Sequence, residues 1–406
     1  MKFTEPIHIV AAKRSPVGRL GGVLQSLSAV DLAVAVGEDA LNTIDCNRQD
    51  VDSAIFGHVL QAGCGMNLAR QVALRLHMST HVPAFCVNMV CGSGLQAIAL
   101  AAREIALGES RIVLAGGAES MSQAPYLSRD ARWGKKLGDT HLVDSILSDG
   151  LTDPLLDISM GETAERVAER FHISRAEQDR FAAQSQHRTE AAQAVFKREI
   201  VPIQTSKSLV EHDEHPRAGT TIEALAKLKP AFRANGTVTA GNASGINDGA
   251  GALLLASESE LQKHGFHSRA RIAGSCAVGC NPALMGMGPV GAIRQLCANI
   301  NWNLDDVQAI EINEAFAAQA LACIRELDLN EDKVNRRGGA IALGHPIGAS
   351  GARLLVTLLH LMEDENLNRG IASLCIGGGM GIALAIERCS GAIQSNTRFK
   401  RTKARA

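Results

Sequence analysis

The sequence predicts an α/β fold made of two similar halves, with a loop region inserted into the first. Three observations predict it. Short apolar strands alternate with amphipathic helices over Ile7 to Ser120 and again over Arg269 to Glu387, the pattern of parallel sheet covered by helices. The stretch between, about Met121 to Ser268, has acidic loops, Pro154, Pro202, Pro216 and Pro230, and two charged helices. The third is an internal echo. NMVCGSGLQAIALAAREIALGESRIVLAGGAESM sets a reactive type of residue, glycines, a helix, a short turn and a glycine-ended strand in order. ALGHPIGASGARLLVTLLHLMEDENLNRGIASLCIGGGMG repeats the plan with His345 where Cys91 stands.

The N-terminal run MKFTEPIHIVAAKRSPVGRLGG lacks the continuous apolar core and cleavage site of a secretory signal and reads as a first strand. Ser28-x-x-Asp31 has the form of a capping box, and Val30, Val34, Gly37, Leu41 and Ile44 then trace one helix face. The next strand is expected over Ala54 to Leu60, and a helix from about Gly92 to Leu107 stops at Gly108. RIVLAGGAES follows as strand and turn. In the middle region, one helix is expected over Gly161 to Phe171 and another from the Ser174-x-x-Glu177 capping box to about Lys197. The expected divisions are a first half over 1–120 continued by about 245–268, a loop or lid region over 121–244, a second half over 269–390, and a polar basic tail over 391–406.

Charge and composition exclude several functions. With 42 acidic against 41 basic residues among 406, no global field draws the chain to nucleic acid or an anionic membrane. Ten Phe, two Trp and one Tyr supply few stacking platforms for bases. No run of about 20 apolar residues suggests a membrane span. The ten cysteines form no C-x-x-C pair, and Cys276-x3-Cys280 lacks zinc-like neighbours, so unpaired thiols in a reducing cytoplasm are expected and no metal is.

Four segments carry residues able to do chemistry: VCGSG at Cys91, INEAFAAQ at Asn313, LGHPIGASGAR at His345 and LCIGGGMG at Cys375. Taken singly, each has a bland explanation. The two cysteines could be packed thiols, Asn313 could cap a helix beginning at Glu314, and His345 could be a turn residue. Gly92-Ser93-Gly94-Leu95-Gln96-Ala97 also fits a dinucleotide fingerprint, but its acidic partner belongs about 20 residues on, and Glu119 stands later. Together the four segments hold a nucleophile, a base, a second acid/base thiol and a polar amide. At a helix N-terminus the Cys91 thiolate is expected to be favoured by free N–H groups.

In this order, and over about Ile7 to Arg388, the motifs CGSG, NEAFA, GHPIGASGAR and C-x-GGG-x-G resemble those of the thiolase family. The resemblance implies a five-layered αβαβα fold and a reversible Claisen condensation of two acetyl-CoA to acetoacetyl-CoA plus CoA. A broader 3-ketoacyl-CoA thiolase of fatty-acid degradation is the alternative; a dinucleotide-binding protein or an inactive thiolase-like scaffold are more distant ones. By resemblance Cys91 is the acyl acceptor, His345 takes its proton, and Cys375 moves the α-carbon proton. One oxyanion hole would use His345 and a water held by Asn313, the other the N–H groups of Cys91 and Gly377. Met160, Arg217, Ala243 and Ser244 would contact CoA, and Leu151, Met285 and Phe316 would line the acyl tunnel. The family implies CoA thioesters as substrates, no tightly bound cofactor, and a homodimer or homotetramer. Ser159 departs from the histidine common before Met160 in acetoacetyl-type members.

Overall fold

The computed structural model describes residues 6–388, so the expected basic tail lies outside the described residues. The first half supplies β1 (Ile7–Arg14), α1 (Ala29–Thr43), β2 (Ser53–Gly57), α2 (Leu68–Arg75), β3 (Ala84–Val87), α3 (Ser93–Ala106) and β4 (Ile112–Ser120). Two helices of the intervening region follow, α4 (Met160–Arg170) and α5 (Arg175–Phe196), before the chain returns as β5 (Asn247–Ser257). The second half supplies β6 (Ala270–Gly279), α6 (Gly288–Ile300), β7 (Ala309–Ile312), α7 (Ala317–Glu326), α8 (Ser350–Asp364), β8 (Arg369–Ile376) and β9 (Met380–Glu387).

Local sequence explains most boundaries. Ser28 and Asp31 form a reciprocal capping box at α1, as do Ser174 and Glu177 at α5. Gly108 takes φ +73° just after α3, a conformation that costs glycine little. The strand expected over Ala54 to Leu60 is shorter: β2 ends at Gly57, because Val59 and Leu60 give their N–H groups to Glu119. The first helix of the middle region starts at Met160, with Ser159 Oγ accepting from Glu162 N at 3.2 Å.

One ten-stranded sheet dominates the described residues. Its order is β7-β8-β9-β6-β1-β5-β4-β2-β3, with a two-residue strand, Gly18–Arg19, beside β5. The order reads the same outward from the β6–β1 junction. In both directions two antiparallel pairs are followed by a parallel one, β1–β5–β4–β2 on one side and β6–β9–β8–β7 on the other. The internal echo is therefore a repeated fold. The expected parallel sheet is corrected to a mixed one. The reason is in the connections: β8 turns straight into β9 through Gly377–Gly379, with φ +83° and +85° at Gly378 and Gly379. A hairpin turn can join only antiparallel strands.

Side-chain alternation builds the five layers. On β5, Leu253 and Leu255 pack inward on α3 and α8, while Ala252, Leu254 and Ala256 pack outward with α1 and α2. On β9, Ile382, Leu384 and Ile386 face the same central helices, and Ala383 and Ala385 face α6 and α7. Central helices covered on both sides must be apolar all round. The stretch Val90–Leu107 is accordingly long and apolar enough to cross a membrane by length and composition, yet its helix α3 is packed between the sheet and α8.

Candidate active site

Cys91 stands on a strained corner between β3 and α3. Val90, a β-branched residue, has φ +45°, where L-residues with branched side chains rarely sit; such conformations cost about 1–3 kcal/mol and persist only when the surroundings impose them. Ser93 imposes this one: its Oγ accepts from Met89 N at 2.8 Å and donates to the Val90 carbonyl at 2.6 Å. Asn88 Oδ1 also accepts from Val90 N at 3.0 Å. Gly92 leaves room for Ile376, whose Cδ1 would lie 2.5 Å from any Cβ there. The corner delivers Cys91 into an apolar pocket of Val59, Leu60, Met121, Ile146 and Ile347, with half-buried Leu151 packed against it.

The second half contributes His345 from a different local structure. A short helical turn, Ala340–Leu343, precedes it where the first half has a strand. His345 N donates to Asn247 Oδ1 at 2.9 Å, and Gly344, at φ +101°, fits against the Asn247 amide. Its Nδ1 is 2.6 Å from Ser350 Oγ, and Ser350 Oγ donates its only proton to the Pro346 carbonyl at 2.9 Å. The hydroxyl must therefore accept from Nδ1–H, which leaves Nε2 as the basic nitrogen. Two residues past His345, Ile347 joins the Cys91 pocket.

Asn313 does not cap a helix. Helix α7 begins at Ala317, preceded by Phe316 in extended conformation, because Phe316 pairs with Ala243 and the Ala317 N–H goes to the Asn242 carbonyl. Asn313 is free to face His345, with Nδ2 3.4 Å from Nε2, and its buried Oδ1 has no partner among the described residues. The same finding places Phe316 before the helix, not within one beginning at Glu314.

Cys375 lies at the end of β8, two residues before Gly377. It is buried with Met160, Ala243, Met285 and Phe316 in one cluster. Four of the sequence-selected substrate residues thus surround the second thiol. Gly377 approaches Met160 Sδ and Val90 without conflict. Ser244 gives its N–H to Ala315 at 2.9 Å and is half-buried. Arg217 is exposed, held through its N–H to Gln186 Oε1 at 2.9 Å, and joins neither thiol cluster.

Burial sets the protonation states. It pushes the Cys91 thiol up to about 11, against the lowering effect of the Gly377 N–H and its own N–H, both directed at the sulfur. The expectation of a favoured thiolate is thereby corrected: in this dry pocket desolvation outweighs the helix terminus. Burial holds His345 down to about 3, helped by Arg353. The resting pair is a neutral thiol and a neutral imidazole. The Cys375 thiol is raised well above its ordinary value, first by burial and then by the nearby Cys91.

Sequence reading missed Ser93, Asn247 and Ser350 as supports of the Cys91 corner and of His345. Ser93 and Ser350 sit inside the quoted CGSG and GHPIGASG motifs, so their position was available; their partners were not.

The sequence matches the family descriptions "Thiolase, N-terminal domain" over residues 7–259 and "Thiolase, C-terminal domain" over 266–388. It is 49% identical over 391 residues to an acetyl-CoA acetyltransferase of Pseudomonas aeruginosa, covering 95% of this chain and 100% of that one. It is 47% identical over 393 residues to the cytosolic acetyl-CoA acetyltransferase of Mus musculus, covering 95% and 99%. Human mitochondrial 3-ketoacyl-CoA thiolase, solved in complex with CoA, superposes with TM-score 0.94 at 45% identity over 96% of this chain and 99% of that chain. The acetyl-CoA acetyltransferase of Bacillus anthracis superposes with TM-score 0.92 at 44% identity over 96% and 100%. With both halves matched and the strand order repeated about the β6–β1 junction, the chain belongs to the thiolase family.

Proposed function

We propose that this protein is an acyltransferase, an acetyl-CoA C-acetyltransferase that interconverts two acetyl-CoA with acetoacetyl-CoA and CoA. The observation that carries the reading is the hairpin after β8, which buries the Cys375 thiol and, two residues on, directs the Gly377 N–H at the Cys91 sulfur.

In the cleavage direction the Cys91 proton passes to His345 Nε2 as sulfur attacks the 3-keto carbon. The N–H groups of Cys91 and Gly377 suit one developing oxyanion; His345 and a water held by Asn313 suit the other. Breaking the C–C bond leaves the acyl group on Cys91 and an acetyl-CoA enolate, which takes the Cys375 proton. CoA then gives its thiol proton to Cys375 and attacks the acyl-Cys91 thioester; the departing Cys91 sulfur regains its proton from His345. A Cys375 thiol raised by burial stays protonated until the enolate forms, as an acid in cleavage must.

For the substrate, Met160, Ala243, Met285 and Phe316 offer an apolar wall beside Cys375, and Leu151 one beside Cys91. Ser244 suits the pantetheine amides and exposed Arg217 a phosphate or adenine, which makes residues 121–244 a CoA-binding lid on the two catalytic halves. Ser159, which departs from the histidine common before Met160 in acetoacetyl-type members and whose hydroxyl caps α4, favours a second reading, a broader 3-ketoacyl-CoA thiolase. A homodimer or homotetramer is supported by exposed Met66, Leu74 and Phe85 around β3, the edge strand of the sheet. A cytoplasmic site of action is supported by the cytosolic mouse relative.

Mass spectrometry after brief incubation with acetyl-CoA, followed by thiolysis of acetoacetyl-CoA and longer 3-ketoacyl-CoAs, tests this. An acetyl adduct on the Cys91 peptide with preferred cleavage of acetoacetyl-CoA is expected. Preference for longer chains would select the broader thiolase, and no adduct with no turnover would reject both.

A further inference from the structure

Glu119 is the penultimate residue of β4 and is fully buried between the two halves. Its Oε1 accepts from Leu60 N at 3.1 Å; its Oε2 accepts from Val59 N at 3.1 Å and from Gly348 N at 2.9 Å. Val59 and Leu60 are walls of the Cys91 pocket, and Gly348 is three residues past His345 on the loop that enters α8. One side chain therefore holds both the nucleophile's wall and the base's loop. The contact admits only glycine at 348, since a Cβ there would lie 2.5 Å from Oε2.

We propose that Glu119 is a positioning residue whose carboxylate locks the His345 loop against the Cys91 pocket, and that this lock requires the ionised form. The proposal rests on Cys91 and His345 being the reacting pair. The chemistry follows from the donors. All three close partners are N–H groups, so protonating the carboxyl would turn an acceptor toward donors. Among the described residues His58 Nε2, buried 3.4 Å from Oε1 without a hydrogen-bond partner, offers the new O–H a lone pair, and a proton on Oε1 weakens that oxygen as the acceptor for Leu60 N. Burial pushes Glu119 up to about 7, opposed by the N–H groups of Leu60, Val59 and Gly348. The other titratable groups facing it are Asp248 on β5, which raises it further, and the thiols of Cys64 and Cys91. His58 itself is held neutral, down to about 4, by burial. The lock is thus complete above the Glu119 pKa and released below it.

Glu119→Gln, which replaces one acceptor by a donor, should lower kcat about tenfold or more, with KM for acetoacetyl-CoA within about twofold, because misplacement of a reacting group costs rate more than binding. The wild-type acid limb in kcat near pH 7 should disappear from the variant. A folded Glu119→Gln with the parent's kcat and pH profile overturns the proposal. Should that variant not fold, hydrogen exchange on the wild-type protein decides. Corrected for intrinsic rates, protection of the Val59, Leu60 and Gly348 amides should fall together between about pH 8 and about pH 6; unchanged protection overturns the lock. Exchange does not depend on which residue reacts, whereas retained activity in Cys91→Ser would sink the reacting-pair assignment instead.

Discussion

Ser350 Oγ stands 2.6 Å from His345 Nδ1 and donates its own hydrogen bond to the Pro346 carbonyl. The direction of that chain fixes the tautomer of an imidazole that burial keeps neutral. Ser350→Ala should leave Nδ1–H buried without an acceptor, a cost of about 1–3 kcal/mol, and should free the ring to adopt the unproductive tautomer. Steady-state thiolysis should show kcat reduced roughly ten- to hundredfold with KM little changed. A normal kcat would mean that Asn313 alone orients the ring.

The thiol of Cys91, pushed up to about 11 by burial, gives a pH dependence of definite sign. Below that value the thiolate fraction rises tenfold per pH unit, so at neutral pH only roughly one molecule in ten thousand carries it. Alkylation of Cys91 by iodoacetamide, followed by peptide mapping, should therefore be slow near pH 7 and climb with unit slope through about pH 10. A plateau near neutral pH would show a preformed thiolate–imidazolium pair and contradict the neutral resting state.

Removing each thiol separates two steps. Cys91→Ser should nearly abolish turnover with the fold intact. Cys375→Ser should block exchange of the α-carbon protons of acetyl-CoA while leaving acetyl transfer to Cys91 partly in place. Intact-protein mass spectrometry and deuterium exchange into acetyl-CoA read the two separately, and loss of acylation in Cys375→Ser would count against that division.

The Cys91 corner depends on a hydroxyl. Ser93→Ala removes the bond to Met89 N and the bond to the Val90 carbonyl, the two contacts that hold Val90 at positive φ. Stability should drop by about 1–3 kcal/mol in urea, and kcat should fall as Cys91 relaxes away from Gly377. Equal stability of the variant would show that packing and the Asn88 bond to Val90 N impose the strain without the hydroxyl.

Much of this site is legible in the sequence because short motifs specify local backbone. CGSG and GHPIGASG each announce a corner before a helix, and Gly108 and the two capping boxes mark helix ends by local chemistry. Strand direction was not legible: alternating strands and helices suit a parallel sheet until the Gly377–Gly379 hairpin is seen to turn β8 back on itself. Nor was the start of α7, since Phe316 is kept extended by Ala243, 73 residues upstream. Glu119 escaped for the same reason: its partners come from other elements, and no periodicity encodes a contact across 229 residues such as that of Glu119 with Gly348.

Gly117, at the seam between the halves, and Gly108, at the end of α3, are glycine for different reasons, and substitution should separate them. Gly117 on β4 lies so close to the α8 entry that a Cβ would sit 2.2 Å from the Gly348 carbonyl oxygen and 3.0 Å from Gly94 Cα. Backbone on both sides cannot yield without parting α3 from α8, so Gly117→Ala should cost about 3 kcal/mol or more. Gly108 has positive φ but nothing within 4 Å of its Cβ position. There only the local conformation is penalised, and Gly108→Ala should cost about 1 kcal/mol. Urea denaturation of the two variants measures the difference directly. Similar losses would show that the halves can shift apart at little cost, and the close approach of the two helix N-termini would then not be what holds the Gly348 loop against the first half.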